Sequence, residues 1–153
     1  MTTAEFLGQL LADAGYVMMA TPLNVGWRNV PVATLDEALA VGEQWSYERL
    51  DVYFALATFR EKRVWNSSKM NRRTNTPGAY ERRTKANVLA LRSLFLDLDV
   101  KPGNDKAYNS QEEAVTDLRT FVRAASLPPP MVVNSGYGVH VYWPLEVQVD
   151  RKS

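Results

Sequence analysis

Apolar residues in the first 59 positions switch between helical and extended spacing. An apolar stripe behind a capping box of Thr2 and Glu5 predicts a helix over "TTAEFLGQLLADAG". "YVMMA" predicts a short strand, and the Pro, Asn and Gly content of residues 21–31 predicts a loop. A second capping box precedes "LDEALAVGEQW", which predicts another helix, and the β-formers of "DVYFALATF" predict a buried strand. Residues 1–59 are therefore expected to form an α-β-α-β module.

The remaining chain divides into an aperiodic segment and a second run of elements. Apolar residues in positions 60–87 follow neither the helical nor the extended spacing, which predicts a long, mobile loop. After it, "SLFLDLDV" predicts a strand, "SQEEAVTDLRTFVRAAS" a helix, and "MVVN" and "VHVYWPLEV" two strands joined by a "SGYG" turn. Residues 88–153 are thus expected to be β-α-β-β, and the fold class to be α/β, of the α+β kind.

Two acidic residues interrupt the strand "SLFLDLDV". Because side chains on a strand alternate, Phe95, Asp97 and Asp99 share one face, and the opposite face is a predicted core face of Leu94, Leu96, Leu98 and Val100. Carboxylates about 7 Å apart along a strand can converge on one divalent cation or on a pair of them. The cation would also offset their mutual repulsion. The alternative is a solvated strand face on which both acids only keep an edge soluble.

The only histidine of the chain follows a glycine-rich turn. Ser135, Gly136 and Gly138 are expected to form a tight turn whose exposed backbone N–H groups suit phosphate oxygens. On the next strand, His140 shares the non-core face with Tyr142, because the opposite face carries Val139, Val141 and Trp143. The alternative is a histidine with a purely structural hydrogen bond.

Composition narrows the class of protein. The hydrophobic content of 46% and charged content of 23% are ordinary for a globular domain, and no run of residues approaches the length of a membrane span. The chain has no cysteine, which excludes disulfides and thiolate metal sites and favours a reducing compartment. We therefore expect a cytoplasmic protein with no membrane partner.

Charge is unevenly distributed. Residues 60–87 hold nine Lys or Arg against two Glu, a balance of +7, which leaves −6 for the rest of a chain of net charge +1. Such a segment, interspersed with Trp65 and Tyr80, is typical of contact with single-stranded nucleic acid, although a solvated surface loop would have the same composition. The predicted contact residues are Arg60, Arg63, Lys69, Arg72, Arg73, Arg82, Arg83 and Lys85.

"SLFLDLDV" followed by "SGYGVHVYW" resembles the first two motifs of the archaeo-eukaryotic primase superfamily, especially the primase-polymerases of phages, viruses and plasmids. The resemblance implies a template-directed nucleotidyltransferase with an RRM-like unit, which is incomplete here. It implies that Asp97 and Asp99, with a third acid, bind two Mg²⁺ or Mn²⁺ ions, and that His140, with Ser135, Gly136 and Gly138, contacts the incoming nucleotide. The implied partners are a single-stranded DNA template, an NTP or dNTP, and a replicative helicase, fused or separate.

The sequence departs from that family at its third motif, a later carboxylate that completes the metal site. Asp150 is the nearest acid, but its position so soon after the histidine strand does not match. The resemblance therefore implies a primase-polymerase catalytic domain truncated at its C-terminus.

Two other functions remain open. A phosphatase of the haloacid-dehalogenase type also begins with a hydrophobic strand and D-x-D, but it continues with Gly-Thr or Gly-Val where this chain has "VKPG". A non-catalytic module that binds single-stranded nucleic acid or a replication origin would use the sheet and the basic segment.

Overall fold

The computed structural model describes residues 1–71 and 73–152, and over these ranges the protein has an α+β fold, as predicted. Its three helices are α1 (Thr3–Leu10), α2 (Leu35–Tyr47) and α3 (Gln111–Ala124). Its nine strands, in antiparallel sheets, are β1 (Val17–Pro22), β2 (Trp27–Val32), β3 (Tyr53–Phe54), β4 (Ala57–Phe59), β5 (Val64–Asn71), β6 (Thr76–Glu81), β7 (Val88–Asp99), β8 (Met131–Asn134) and β9 (Gly138–Asp150). Arg72, a predicted nucleic-acid contact, lies outside the described residues.

The chain divides into two compact units. The first unit is Met1–Arg92 with Val147–Ser153, and the second unit is Ser93–Glu146. No helix in the described ranges combines the length and the apolar character needed to cross a membrane.

The first unit contains a three-stranded sheet of order β2-β1-β3. Helices α1 and α2 share its core, which buries Leu7, Leu11, Val17, Met19, Val32, Ala38 and Trp45. The predicted loop over residues 21–31 is wrong at both ends, because β1 includes Thr21 and Pro22 and β2 begins at Trp27. Strand β2 pairs along the whole of β1, from Val17 opposite Val32 to Pro22 opposite Trp27. Pro31 obscured this strand, but an edge strand tolerates a proline, and β2 is an edge strand.

Two further sequence predictions about the first unit are wrong. "DVYFALATF" is two short strands, since β3 pairs with β1 whereas β4 pairs with β7. The predicted loop over residues 60–87 contains a β-hairpin, β5–β6, followed by a 3-10 turn at Lys85–Asn87. Most β5 residues are exposed, so no burial alternation marks that strand in the sequence.

The second unit has the predicted β-α-β-β order. Helix α3 covers one face of the strands, and the core between them contains Leu98, Ala114, Leu118, Val139, Val141 and Trp143. The predicted core face of β7 is correct at Leu98 and Val100 but wrong at Leu94 and Leu96, which are 56% and 36% exposed. The α3 core cluster reaches only the Leu98 end of the strand, and a surface groove of about 630 Å³ lies beside Leu96.

Candidate active site

An acid–imidazole pair lies on the face of the second unit that α3 does not cover. Strands β7 and β9 are neighbours in the sheet, and they bring Asp97 and His140 together from positions 43 residues apart in the chain. The Oδ1 atom of Asp97 is 3.7 Å from Nε2 of His140. Their side chains are 52% and 34% exposed, so a ligand can reach both.

Tyr142 lies on the other side of the imidazole. Its hydroxyl is 3.5 Å from Nδ1 of His140. Burial raises the pKa of Tyr142, and the negative charge of Asp97 raises it further, so the hydroxyl stays protonated at neutral pH. A hydroxyl that donates to Nδ1 favours the tautomer with its proton on Nε2, which faces Asp97. Strand alternation predicted the face of Tyr142, but nothing in the sequence indicated this contact.

The glycine turn lies directly against the end of β7. A Cβ atom at Gly138 would be 2.5 Å from the carbonyl oxygen of Leu98 and 3.4 Å from Cα of Asp99. The N–H group of Val100 donates to the carbonyl of Tyr137 at 3.1 Å. Asp99 is therefore beside the turn, where its exposed carboxylate forms an ion pair with Lys101 at 3.1 Å.

The turn does not offer all the N–H groups that the sequence predicted. The N–H of Ser135 donates to the carbonyl of Gly138 at 3.1 Å, and the N–H of Gly136 donates to Oδ1 of Asn134 at 2.8 Å. The side chain of Gln111, at the start of α3, donates to the same Asn134 oxygen at 2.9 Å and fixes it. These two N–H groups are therefore not available to an anion at the turn.

Asp97 and Asp99 are the candidate ligands of a divalent cation. In the described part of the chain, no group of three or more His, Cys, Asp or Glu side chains is arranged to hold a metal ion. Mg²⁺, however, is commonly bound by one or two carboxylates together with waters and substrate phosphates. Asp97 and Asp99 supply two such carboxylates on one strand. Asp150 belongs to the first unit, where its carboxylate accepts a hydrogen bond from Gln148 at 2.8 Å.

Gly138→Ala is expected to destabilise the protein by about 1–3 kcal/mol, because the new methyl group overlaps the backbone of Leu98. Urea unfolding followed by circular dichroism measures the loss. Gly42→Ala in α2 is the control, since its Cβ would meet only side-chain atoms at 3.8 and 3.9 Å, and it is expected to stabilise the helix. Equal stability of Gly138→Ala and the natural protein would contradict the packing described here.

The β5–β6 hairpin of the first unit displays an aromatic and cationic surface. Trp65 and Tyr80 are opposite each other in the pairing register, with ring centroids 5.1 Å apart, and are 58% and 55% exposed. The guanidinium of Arg63 lies 4.2 Å from the centre of the Tyr80 ring. The indole of Trp65 covers Gly78 so closely that a side chain there would overlap it. Arg63, Trp65, Gly78 and Tyr80 are named the hairpin platform below.

The other predicted basic contacts differ in their surroundings. Lys69 forms an ion pair with Glu81, and hydrogen bonds from Lys69 and Asn66 lower the pKa of that carboxyl. Arg60 donates to the carbonyl of Arg151 at 3.1 Å. All the predicted basic contacts that the structure describes are exposed: Arg60, Arg63, Lys69, Arg73, Arg82, Arg83 and Lys85.

These features define an α+β protein with an acid–imidazole pair on the open face of an antiparallel sheet and a separate basic, aromatic hairpin. Comparisons with protein-family models, with curated proteins and with solved structures found no match to the chain.

Proposed function

We propose that this protein is a template-directed nucleotidyltransferase of the primase or primase-polymerase kind, which uses Mg²⁺ or Mn²⁺. The observation that carries the proposal is the 3.7 Å approach of His140 to Asp97, with Asp99 farther along the same strand beside the glycine turn. Carboxylates suit a divalent cation, and a histidine next to them suits the phosphates that the cation binds. The order of the two motifs, which resembles that of the primase superfamily, also supports it.

Each residue has a separate part in the proposed reaction. Asp97 and Asp99 would hold the cation, which would supply charge stabilisation and activation of the 3′-hydroxyl when bound. His140 and Ser135 orient the triphosphate, so that the 3′-hydroxyl meets the α-phosphorus and pyrophosphate leaves in line. Tyr142 is a positioning residue, because its hydroxyl contacts the imidazole nitrogen that faces away from Asp97.

The direct test is nucleotide incorporation by the whole chain. The protein is incubated with a single-stranded DNA template, with or without a primer, a nucleotide mixture, and Mg²⁺ or Mn²⁺, and the products are separated by length. We expect products that require template, nucleotide and cation together. Absence of both new strands and released pyrophosphate would contradict the proposal.

The hairpin platform favours a second candidate, a non-catalytic module that binds single-stranded nucleic acid. Two exposed rings, with an arginine over one of them, offer stacking surfaces to unpaired bases, and the exposed cations nearby in the sequence suit a phosphate backbone. This function needs neither a divalent cation nor a nucleoside triphosphate. Metal-independent binding without any incorporation would select it over the first proposal.

Replacing Trp65 and Tyr80 together by alanine is expected to weaken the binding of single-stranded DNA by roughly ten-fold or more, since each stacked base contributes about 1–3 kcal/mol. Fluorescence anisotropy of a labelled mixed-sequence oligonucleotide measures the affinity. The binding that remains should fall steeply as salt is raised, because it depends on phosphate contacts.

Met70→Ala is the matched control for the hairpin, because Met70 is 48% exposed on the same strand but lies outside the hairpin platform. It is expected to leave the affinity unchanged. If the double variant bound DNA as tightly as Met70→Ala, the hairpin platform would not be a base-stacking surface.

A further inference from the structure

The open face of the second unit has an aromatic end as well as a charged end. Phe95 is 43% exposed and lies two residues before Asp97 on β7. Its ring centroid is 5.1 Å from that of Tyr142 and 5.5 Å from that of His140. Met131 is the pairing partner of Tyr142 on β8 and therefore shares this end of the face. The phosphate-binding role proposed above does not use Phe95.

The opposite end of the same face is polar. Asp99 lies beside the glycine turn and Ser135, at the end of β7 away from Phe95. Four residues of strand span about 14 Å, so Phe95 and Asp99 are separated by enough length for a nucleoside triphosphate to lie along the strand. Along this face the apolar ring of Phe95 comes first, the His140–Asp97 pair lies next to it, and the carboxylate of Asp99 lies at the far end beside the glycine turn. This order matches a nucleotide, which has an apolar base at one end and charged phosphates at the other.

We infer that the base of the bound nucleotide stacks on Phe95, with its phosphates directed toward Asp99 and the glycine turn. This inference rests on the proposed nucleotidyl-transfer function and adds the polarity of the substrate in the site. Phe95 is suited to the role because the rings of Tyr142 and His140 support it on the sheet while nearly half of its surface remains accessible. Stacking on a phenyl ring does not discriminate between bases, so purine and pyrimidine nucleotides should both bind.

The test compares two probes that differ only in the presence of a nucleoside: ATP and inorganic tripolyphosphate. Their affinities for the whole chain are measured by calorimetry with Mg²⁺ present. Phe95→Ala is expected to weaken ATP binding by roughly 5- to 150-fold, the loss of one stacked base, and to leave tripolyphosphate binding unchanged. Phe95→Trp is expected to retain the affinity for ATP, because it keeps an aromatic surface.

Leu94→Ala provides the matched control. Leu94 is an exposed apolar residue next to Phe95, but its side chain points to the other face of the strand. The control should leave both affinities unchanged. Circular dichroism of each variant verifies that the fold is retained.

The outcomes separate this inference from the function on which it rests. If the natural protein binds neither probe, the nucleotide site itself is refuted and the inference falls with it. If the natural protein binds ATP and Phe95→Ala binds it equally well, only the position of the base is refuted. An equal loss for ATP and tripolyphosphate would also overturn the inference, because it would place Phe95 in the support of the phosphate end.

Discussion

Nucleotide incorporation is expected to fall by at least about a thousand-fold when Asp97 and Asp99 are both replaced by alanine, since metal ions contribute several kcal/mol to such transition states and each 1.4 kcal/mol is ten-fold in rate. The two carboxylates share one face of β7, and both are more than half exposed. Their removal leaves the α3 core untouched, so the fold should persist. Primer extension under single-turnover conditions measures the loss.

Asp105→Ala is the control for this prediction. Asp105 is an exposed acid in the turn that follows β7, and it has no place in the proposed site. It tests whether removing a nearby negative charge is enough to change the rate. Incorporation by the Asp97 and Asp99 double variant at the rate of Asp105→Ala would refute the assignment of both acids.

Replacing His140 by alanine is expected to lower the rate of incorporation by about 10²- to 10³-fold, the usual cost of removing one preorganised donor to a developing negative charge. The imidazole lies between the hydroxyl of Tyr142 and the carboxylate of Asp97, so it is held in place before substrate arrives. Single-turnover rates at several nucleotide concentrations separate a loss in chemistry from a loss in affinity.

His140→Gln is the conservative comparison, because its amide retains an N–H donor of similar reach. We expect its rate to lie between those of His140→Ala and the natural protein. A fully active His140→Ala protein would mean that the imidazole has only a structural role, which is the alternative that the sequence left open.

The sequence predicted the second unit well because its alternation of apolar and polar residues is regular. Val139, Val141 and Trp143 alternate with His140 and Tyr142, and the structure buries the first set in the α3 core as expected. The β-α-β-β order was predicted from the succession of extended and helical patterns. The face shared by Asp97 and Asp99 was predicted from the same two-residue alternation. The pattern failed at Leu94 and Leu96, because apolar residues alone do not tell how far along a strand the covering helix extends.

The rest depended on tertiary contacts that no local pattern encodes. Most β5 residues of the hairpin are exposed, so their sequence shows neither the helical nor the strand repeat of apolar residues. The packing of Trp65 over Gly78 is a contact between two strands, which no local repeat indicates. The sequence predicted free N–H groups in the glycine turn, but the N–H of Gly136 donates to Asn134, which also accepts a hydrogen bond from Gln111 of α3. Partners so far apart in the chain are paired only by the fold.

The most direct test of the central claim uses the fact that the chain has a single histidine. Its imidazole signals in an NMR spectrum therefore belong to His140 alone. If Asp97 and Asp99 bind a divalent cation, Mn²⁺ added with a nucleoside triphosphate should broaden those signals strongly in the natural protein and leave them sharp in the Asp97→Ala, Asp99→Ala variant. Signals that stay sharp in the natural protein, or broaden equally in both, would show that no cation site exists beside His140.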